Sequence, residues 1–365
     1  MKEQRLRRLS LSLFFSALLA ACAAELPHEA THSEDIAITT VTVMTFNVEN
    51  LFDNIDDPEK DDKAYLPLAA KQSAAHKRAC NEIEVNRWRD ECLDLDWNDD
   101  ILDHKMTVIA ATILQVNDGR GADIIALQEI ENLAVLEQLR TGYLPNAGYL
   151  PAILVEGTDA RGIDVAFLSR LPIAGPPTLH PLSIPAYKER ERDTRGVLQA
   201  DFQLPDGSIL TGFSVHFPAP FHPTPMRVAA YQHLSELLAT LPDHHHAFAA
   251  GDFNTTRSED DEQHMLDTWA RPDWTLAHDI GCQDCNGTHY YARGDDWSFL
   301  DMIFFAAARG GKTTAAIRAD SVQIANGNPA QVTPNGTPLR FDADRRQGVS
   351  DHWPMIATVL SLIHI

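Results

Sequence analysis

Residues 247–254 read Ala-Phe-Ala-Ala-Gly-Asp-Phe-Asn, a short apolar run that stops at a carboxylate and an amide. Apolar runs of this length, bounded by polar residues, are typical of strands buried on both faces. Polar side chains that directly follow such a strand lie where the sheet meets solvent, a common place for binding and catalytic groups. The stretch therefore predicts a buried strand that carries Asp252 and Asn254 at its end.

The same pattern recurs along most of the chain. Two further segments, 105–116 and 227–241, have apolar residues at helical spacing. Strands outnumber helices, and several strands follow one another without a helix between them, which favours an α/β sandwich of mixed sheets over a doubly wound parallel sheet. The other predicted strands are 41–46, 123–129, 164–169, 197–202, 209–216, 299–305 and 353–360.

Polar residues at the edges of these strands are the candidate site. Any one of them taken alone is a common turn former or cap. As a set of carboxylates and amides they suit a hard divalent cation such as Mg²⁺ or Mn²⁺, and the histidines add groups that exchange protons near neutral pH. The set is Asn47, Glu129, Asp164, His216, Asp252, Asn254, Asp301, Asp351 and His352.

The order of these motifs resembles that of the endonuclease/exonuclease/phosphatase superfamily, whose members include deoxyribonuclease I-like enzymes. The resemblance implies a four-layered α/β sandwich, with two packed mixed β-sheets flanked by helices, and it implies hydrolysis of phosphoric esters. The sequence contains no GxSxG, P-loop or HExxH motif, each of which would indicate a different catalytic chemistry. The matching blocks are Thr45-Phe46-Asn47-Val48, Ala126-Leu127-Gln128-Glu129, Val215-His216, Gly251-Asp252-Phe253-Asn254, Ser298-Phe299-Leu300-Asp301 and Ser350-Asp351-His352-Trp353-Pro354.

The resemblance implies metal ligands and a proton-handling pair. Glu129, with Asn47 and Asp351, is expected to hold the metal, for which Mg²⁺ is the first expectation, with Mn²⁺ or Ca²⁺ as alternatives. Asp301 is expected to orient His352. With the metal bound, water would attack phosphorus in line, and no covalent enzyme intermediate would form.

The resemblance also implies residues that contact the substrate. Asp252 and Asn254 are expected to position the attacking water and the phosphate. Either Asp252 or His352 is expected to remove the proton of the water. His216 is expected to act as a second acid/base or a phosphate ligand, and Asp164 to be its carboxylate partner. Arg195 resembles a phosphate-binding arginine, with an ordinary surface arginine as the alternative.

One segment departs from the family pattern. His216 is followed by Phe217-Pro218-Ala219-Pro220, whereas many relatives have a basic or serine-bearing continuation at this point. The departure leaves the substrate contacts beside that histidine undefined.

The first 40 residues are expected to lie outside the catalytic domain, which we place at residues 41–362. Residues 1–22 contain basic residues followed by an apolar run too short to span a membrane, typical of a signal peptide. The run ends in Leu-Ala-Ala-Cys22, which resembles a bacterial lipobox; the alternative is an ordinary signal peptide with a chance cysteine. Residues 23–40 are predicted to be a tether. We expect an exported monomer, anchored to the outer membrane only through lipid on Cys22.

Four cysteines remain in the exported part. Disulfides persist in an oxidising compartment, which favours Cys80 with Cys92 and Cys282 with Cys285. The alternative is a zinc site at the Cys282-x-x-Cys285 pair.

Two segments, residues 53–104 and 306–348, are predicted to be loops with little sequence signal. Residues 53–104 are an insertion or long loop with an acidic beginning. Acidic runs are usually solvated surface. The alternative is calcium binding by Asp56, Asp57, Asp61 and Asp62.

The composition bears on the substrate. A formal charge of −22 argues against high overall affinity for nucleic acid, which needs a basic face. A nuclease that acts on extracellular DNA or RNA remains our first hypothesis. The alternatives are a phosphatase or sphingomyelinase-like phosphoester hydrolase and, in another class, a non-catalytic surface lipoprotein.

Overall fold

The computed structural model describes residues 36–57, 59–310 and 313–364. The predicted signal peptide, lipidation at Cys22 and most of the tether lie outside these residues. The predicted start of the domain needs one correction, because Ile36 already pairs with His364 in the first strand. Residues 36–40 therefore belong to the sheet and not to the tether.

The described residues form fourteen strands and eight α-helices. The strands are β1 Ile36–Leu51, β2 Ile124–Ile130, β3 Ile153–Leu154, β4 Asp164–Ser169, β5 Thr178–His180, β6 Val197–Gln203, β7 Ile209–His216, β8 His246–Asp252, β9 Thr275–Leu276, β10 His289–Tyr291, β11 Asp296–Ser298, β12 Asp301–Ala306, β13 Thr313–Ile324 and β14 Met355–His364. The helices are α1 Ala74–Asn81, α2 Asn86–Asp94, α3 Asp99–Leu114, α4 Leu133–Gln138, α5 Thr224–Thr240, α6 Arg257–Gln263, α7 Met265–Trp269 and α8 Ala277–Ile280. Short 3-10 turns cover Lys63–Tyr65, Ala70–Gln72, Pro185–Asp193 and Pro329–Gln331, and a π-helical turn covers Leu139–Tyr143.

Twelve of these strands form two six-stranded mixed sheets. The first sheet has the order β13-β14-β1-β2-β4-β3 and the second the order β5-β6-β7-β8-β12-β9. The pairs β1–β2 and β7–β8 are parallel, and the other pairs are antiparallel. Strands β10 and β11 form a separate hairpin.

Alternation along the strands assigns each apolar side chain to one of two layers. On β1, Val41 and Val43 enter a core shared by both sheets, whereas Met44 and Phe46 face helix α3. On the second sheet, Phe248 enters the shared core, and its neighbours on β8 pack against helix α5. Since side chains alternate with period 2, one apolar run covers both faces of its sheet. The predicted four-layered sandwich of mixed sheets is confirmed.

Two segments predicted as loops contain regular structure. The insertion 53–104 carries helices α1 and α2, joined by a disulfide between Cys80 and Cys92. The late segment 306–348 carries β13, the edge strand of the first sheet. A second disulfide joins Cys282 to Cys285, so the structure has the cysteine pairing that we favoured over a zinc site.

The acidic beginning of the insertion is mostly solvated. Asp56, Asp57 and Asp61 are exposed, whereas Asp62 is buried and accepts a hydrogen bond from the Asp57 amide.

Among the helices of the described residues, none has the length and apolar character needed to cross a membrane.

Candidate active site

Three neighbouring strands of the second sheet place a row of polar side chains at one edge. The parallel register of β7 and β8 sets His216 beside Asp252, and the antiparallel register of β8 and β12 sets Asp301 on the other side of Asp252. Gly251 makes this row possible: a Cβ atom there would lie 2.0 Å from the Val215 carbonyl oxygen. All three side chains are buried.

The first sheet contributes an amide and a carboxylate that meet this row. Asn47 Nδ2 donates to Asp252 Oδ2 at 3.1 Å and to Glu129 Oε1 at 3.3 Å. Glu129 has a positive φ of 64°, at the point where the register between β2 and β4 shifts. Such a bulge redirects a side chain at a strand end, and a positive φ in a residue other than glycine is strained. The strained backbone turns the Glu129 carboxylate toward Asn47.

His352 lies on the segment that precedes β14 and is paired with a carboxylate. Its Nδ1 donates to Asp301 Oδ2 at 2.7 Å, and its backbone amide donates to Ser350 Oγ at 3.0 Å. Burial would lower the pKa of the imidazole, but Asp301 raises it well above its usual value, and Asp252 adds to that effect. His352 is therefore protonated at neutral pH, with its Nε2 directed away from Asp301.

His216 has the opposite electrostatic character. Its Nε2 lies 3.5 Å from Asp252 Oδ2 and 3.9 Å from Glu129 Oε1, and its buried Nδ1 has no hydrogen-bond partner among the described residues. Burial lowers the pKa of His216 well below its usual value, and the charges of Arg195 and Arg161 lower it further. The imidazole is therefore neutral, which suits a phosphate ligand better than an acid.

The expected pairing of Asp164 with His216 is corrected by these contacts. Asp164 Oδ1 accepts a hydrogen bond from the Gly157 amide at 2.9 Å, and its Oδ2 is buried without a partner. Burial, followed by the charge of Glu156, raises the pKa of Asp164 to about 8. The Asp164 carboxyl therefore stabilises the turn before β4 and does not pair with His216. The order of motifs along the chain does not reveal this, because the pairing of strands in the sheet decides which side chains are neighbours.

Asp252 and Asn254 form a tight turn after β8. Asp252 Oδ1 accepts from the Asn254 amide at 2.8 Å, and Asn254 has a φ of 51°, a conformation that asparagine tolerates. Burial raises the pKa of Asp252 to about 7, against the lowering effect of His352. A carboxylate with that pKa accepts a proton readily near neutral pH.

Arg195 is buried and not a surface arginine. Its Nη2 donates to the Phe217 carbonyl at 3.0 Å, and its Nη1 lies 3.5 Å from Asp159 Oδ2. Asn254 Nδ2 donates to the same Phe217 carbonyl at 3.0 Å. The segment that departs from the family pattern thus holds the arginine and the amide together. No sequence pattern pointed to Asp159, which lies outside any strand-end motif.

A second group of charged residues holds the loop that carries Asp351 and was not found from the sequence. Glu49 Oε2 accepts from the backbone amides of Phe341 and Asp351, each at 3.1 Å, and Arg340 Nε donates to its Oε1. Arg340 also lies 3.3 Å from Asp351 Oδ2. The buried Lys105 donates to the Val349 carbonyl at 2.7 Å. Glu49 does follow the predicted strand, so its position in Asn-Val-Glu was the available signal.

The site residues fit a divalent cation at Asn47 and Glu129. The Glu129 and Asp252 carboxylates converge on Asn47 and His216, yet neither forms an ion pair with a lysine or arginine of the described part. Converging carboxylates without a cation repel each other, and oxygen donors are the ligands that Mg²⁺ prefers. Asp351, the third expected ligand, lies near Arg340 and His352, and among the described residues it makes no hydrogen bond with Asn47.

Comparisons with known proteins agree with this architecture. The model of the Endonuclease/Exonuclease/phosphatase family matches residues 44–352. A humanized D. rerio TDP2 with 14 mutations has a similar structure, with a TM-score of 0.54, 12% sequence identity and coverage of 88% of this chain and 98% of that chain. An endonuclease/exonuclease/phosphatase family protein of Bacteroides thetaiotaomicron gives a TM-score of 0.52, 16% identity and coverage of 89% and 98%.

A mannosyl-6-phosphatase of Bacteroides thetaiotaomicron gives a TM-score of 0.50, 17% identity and coverage of 87% of this chain and 99% of that chain. At these identities the likeness concerns the fold alone. A search of the curated proteins found no match.

Proposed function

The chain belongs to the endonuclease/exonuclease/phosphatase family of phosphoester hydrolases, and from this premise we propose that it is a divalent-metal-dependent phosphodiesterase that cleaves extracellular DNA or RNA. The observation that carries the proposal is the row His216, Asp252 and Asp301, which meets Asn47 and Glu129 across the two sheets. This arrangement places a proton acceptor, a charged histidine and the oxygen ligands of a metal together at the ends of these strands.

Proton transfer in the proposed reaction uses two residues of opposite charge. Asp252 accepts the proton of the attacking water, since its pKa of about 7 matches the working pH. His352, held charged by Asp301 at 2.7 Å, stabilises the negative charge that develops on the phosphoryl oxygens and donates a proton to the leaving oxygen. These roles require no covalent intermediate.

Neutral and cationic donors orient the phosphate. His216 Nε2 and the backbone amide of Asn254 face Asp252. The Asn254 side chain and Arg195 both donate to the Phe217 carbonyl, which holds them beside each other. A divalent cation at Asn47 and Glu129 would polarise the phosphoryl group and offset its charge. We propose Mg²⁺ as the ion, with Mn²⁺ as a substitute and Ca²⁺ as a third candidate.

Two half-exposed arginines beside the site offer contacts to a polyanionic substrate despite the acidic composition, and each also pairs with a carboxylate. Arg161 and Arg340 are about half exposed, with 51% and 44% of their side-chain surface accessible. Arg161 acts on the pKa of His216, and Arg340 contacts Asp351, so both lie next to the site. Phosphate binding depends on such local groups more than on total charge.

A small phosphoester is the second candidate substrate. The formal charge of −22 favours it, because long-range repulsion of a polyanion grows with the length of the substrate. Outside the enzyme class, a non-catalytic surface lipoprotein is the remaining alternative. We further propose an exported monomer that is anchored to the outer membrane through Cys22.

Hydrolysis assays on the full chain in mild detergent test the proposal. The substrates are plasmid DNA, RNA, bis-p-nitrophenyl phosphate, p-nitrophenyl phosphate and sphingomyelin, each with Mg²⁺, Mn²⁺, Ca²⁺ or EDTA. The matched variants are His352→Ala and, as a control, His244→Ala at an exposed position. Cleavage of nucleic acid that needs metal and His352 supports the nuclease. Hydrolysis of the monoester or the lipid alone contradicts the proposed substrate. If no substrate is hydrolysed, the proposal that the chain is an enzyme is contradicted.

A further inference from the structure

His289 is an imidazole beside the site for which the reaction above has no use. It lies on β10 and forms a bridge with His352, and the two ring centroids are 5.0 Å apart. The Trp353 amide donates to the Thr288 carbonyl at 2.8 Å, which fixes the hairpin against the segment that carries His352. Within the described residues, the His289 ring makes no hydrogen bond and no ion pair. Its nitrogens are free to bind a ligand.

Three potential metal ligands meet at this position. One ligand atom each from His289, Asp351 and His352 lies within 4.8 Å of the other two. His352 Nδ1 donates to Asp301, so Nε2 is the nitrogen left for a metal, and it lies 3.9 Å from Asp351 Oδ1. A carboxylate on the far ring nitrogen is the usual support for a metal-binding histidine.

The donor set selects a different ion from the one at Glu129. Two imidazoles and one carboxylate suit Zn²⁺ or another late transition metal, whereas Mg²⁺ prefers oxygen ligands. Tetrahedral zinc with ligand distances of about 2.0–2.2 Å holds its ligand atoms about 3.4 Å apart, so the three side chains would need to close by roughly 1 Å. Asp351 is 30% exposed, which leaves an approach from solvent.

The other comparable group in the described residues does not compete. His76 lies near Cys80 and Cys92, but these two sulfurs form a disulfide and cannot bind as thiolates.

We propose that His289, Asp351 and His352 form an inhibitory site for Zn²⁺ at the edge of the active site. Binding itself needs only the three side chains, and inhibition rests on the function proposed above for His352. Zinc binds His352 Nε2 in place of the proton on that nitrogen, which is released to solvent, so the ion occupies the nitrogen that must contact the substrate. Micromolar zinc would therefore stop hydrolysis while Mg²⁺ remains in its own position.

Metal binding is measured first, on the full chain and without substrate. Equilibrium dialysis in millimolar Mg²⁺ gives the zinc bound per chain, and Co²⁺ as a probe gives the visible absorption of a tetrahedral site. We expect one strong site, with affinity at least about 10-fold weaker in His289→Asn, because a ligand is lost. His244→Asn, in an exposed histidine tract, is the matched control. Equal binding by the wild type and His289→Asn would overturn the proposal.

Inhibition is measured second, on whichever substrate the chain hydrolyses with Mg²⁺. His289→Asn is expected to keep the Mg²⁺-dependent rate within about twofold and to need at least 10-fold more zinc for half inhibition. Activation by zinc, or equal inhibition of both proteins, would overturn the inhibitory role. If no substrate is hydrolysed but zinc binding depends on His289, the metal site stands and the proposed function fails.

Discussion

The two histidines on either side of Asp252 share a degree of burial but have opposite charges. His352 and His216 are both buried, and burial alone would lower the pKa of each. Asp301 lies 2.7 Å from Nδ1 of His352 and raises its pKa, whereas Nδ1 of His216 has no partner. The Asp301 contact, with further contributions from the charges of Asp252 and Asp351, therefore outweighs desolvation at His352 and makes it the cation.

The same difference divides the site into two halves. The half around His352 and Asp301 supplies positive charge and a proton. The half around His216, Asn254 and Arg195 supplies donors that do not titrate near neutral pH.

Replacement of the charged histidine should have the largest effect. His352→Ala is expected to lower kcat/KM by about 10³–10⁴-fold, since it removes both a proton donor and a positive charge from the transition state. Steady-state kinetics on the preferred substrate, with circular dichroism to verify folding, measures the loss. A loss below tenfold in a folded protein would contradict the assignment of His352.

Removal of its carboxylate partner should have the next largest effect and should change the pH profile. Asp301→Asn is expected to lower kcat by about 10²–10³-fold. Because Asp301 raises the pKa of His352, the variant should lose the protonated histidine at a lower pH, so the alkaline limb of the rate profile shifts to lower pH. The acid limb, set by Asp252, should also move to lower pH, because the charge of Asp301 helps to raise the pKa of Asp252. An unchanged alkaline limb would mean that His352 is not the group that must be protonated.

Replacement of the neutral histidine should have a smaller effect of another kind. His216→Gln keeps a neutral hydrogen-bond donor, and we expect a loss of about 10–100-fold, mainly through a higher KM. Both limbs of the pH profile should keep their positions, since a neutral ligand does not titrate in that range. Loss of the acid limb in this variant would show that His216, and not Asp252, is the base.

Substitution of Asp164 should have the smallest effect on activity. Asp164→Asn keeps an acceptor for the Gly157 amide and should leave kcat/KM within about threefold, because no hydrogen bond joins Asp164 to His216. Catalysis that falls by 10²-fold or more would restore the predicted pairing of these two residues.

The same variant should be more stable than the wild type at pH 8. Burial raises the pKa of Asp164 in the folded state to about 8, above the usual aspartate value of 3.8. Below about pH 4 the carboxyl is protonated in both states, and as the pH rises toward 8 only the folded state must retain the proton, so wild-type stability falls. Thermal melts should show a Tm higher by about 1–2 °C for Asp164→Asn at pH 8 and no difference at pH 4.

Strand-end motifs predicted most of the site because the signal is local. A buried run that begins or ends near a polar residue marks Asn47, Glu129, Asp252 and Asp301 without knowledge of the partners. The same rule misled at Asp164, which follows the pattern but bonds to its own turn. It missed His289 and Arg340, which lie in a short hairpin and an irregular segment where no apolar period surrounds them.

Edge elements were also harder to predict than central ones. Central strands β4 and β7 begin and end where the apolar runs do, whereas the edge strand β13 was assigned to a loop. An edge strand needs fewer buried residues, so the alternation of apolar and polar residues along it is weak. In β13 the pairing with β14 fixes the extended conformation that this weak pattern does not predict.

The amino-acid sequence by itself determined which residues are buried and which polar groups end the strands, because side-chain alternation and apolar runs depend only on near neighbours in the chain. Only the tertiary structure decided which polar groups meet. Sheet register sets His216 beside Asp252, and the packing of distant segments brings His352 to Asp301 and Arg340 to Glu49. Those contacts then decide the charge of each group, since a pKa responds to neighbours within a few ångströms in space and not to position in the sequence.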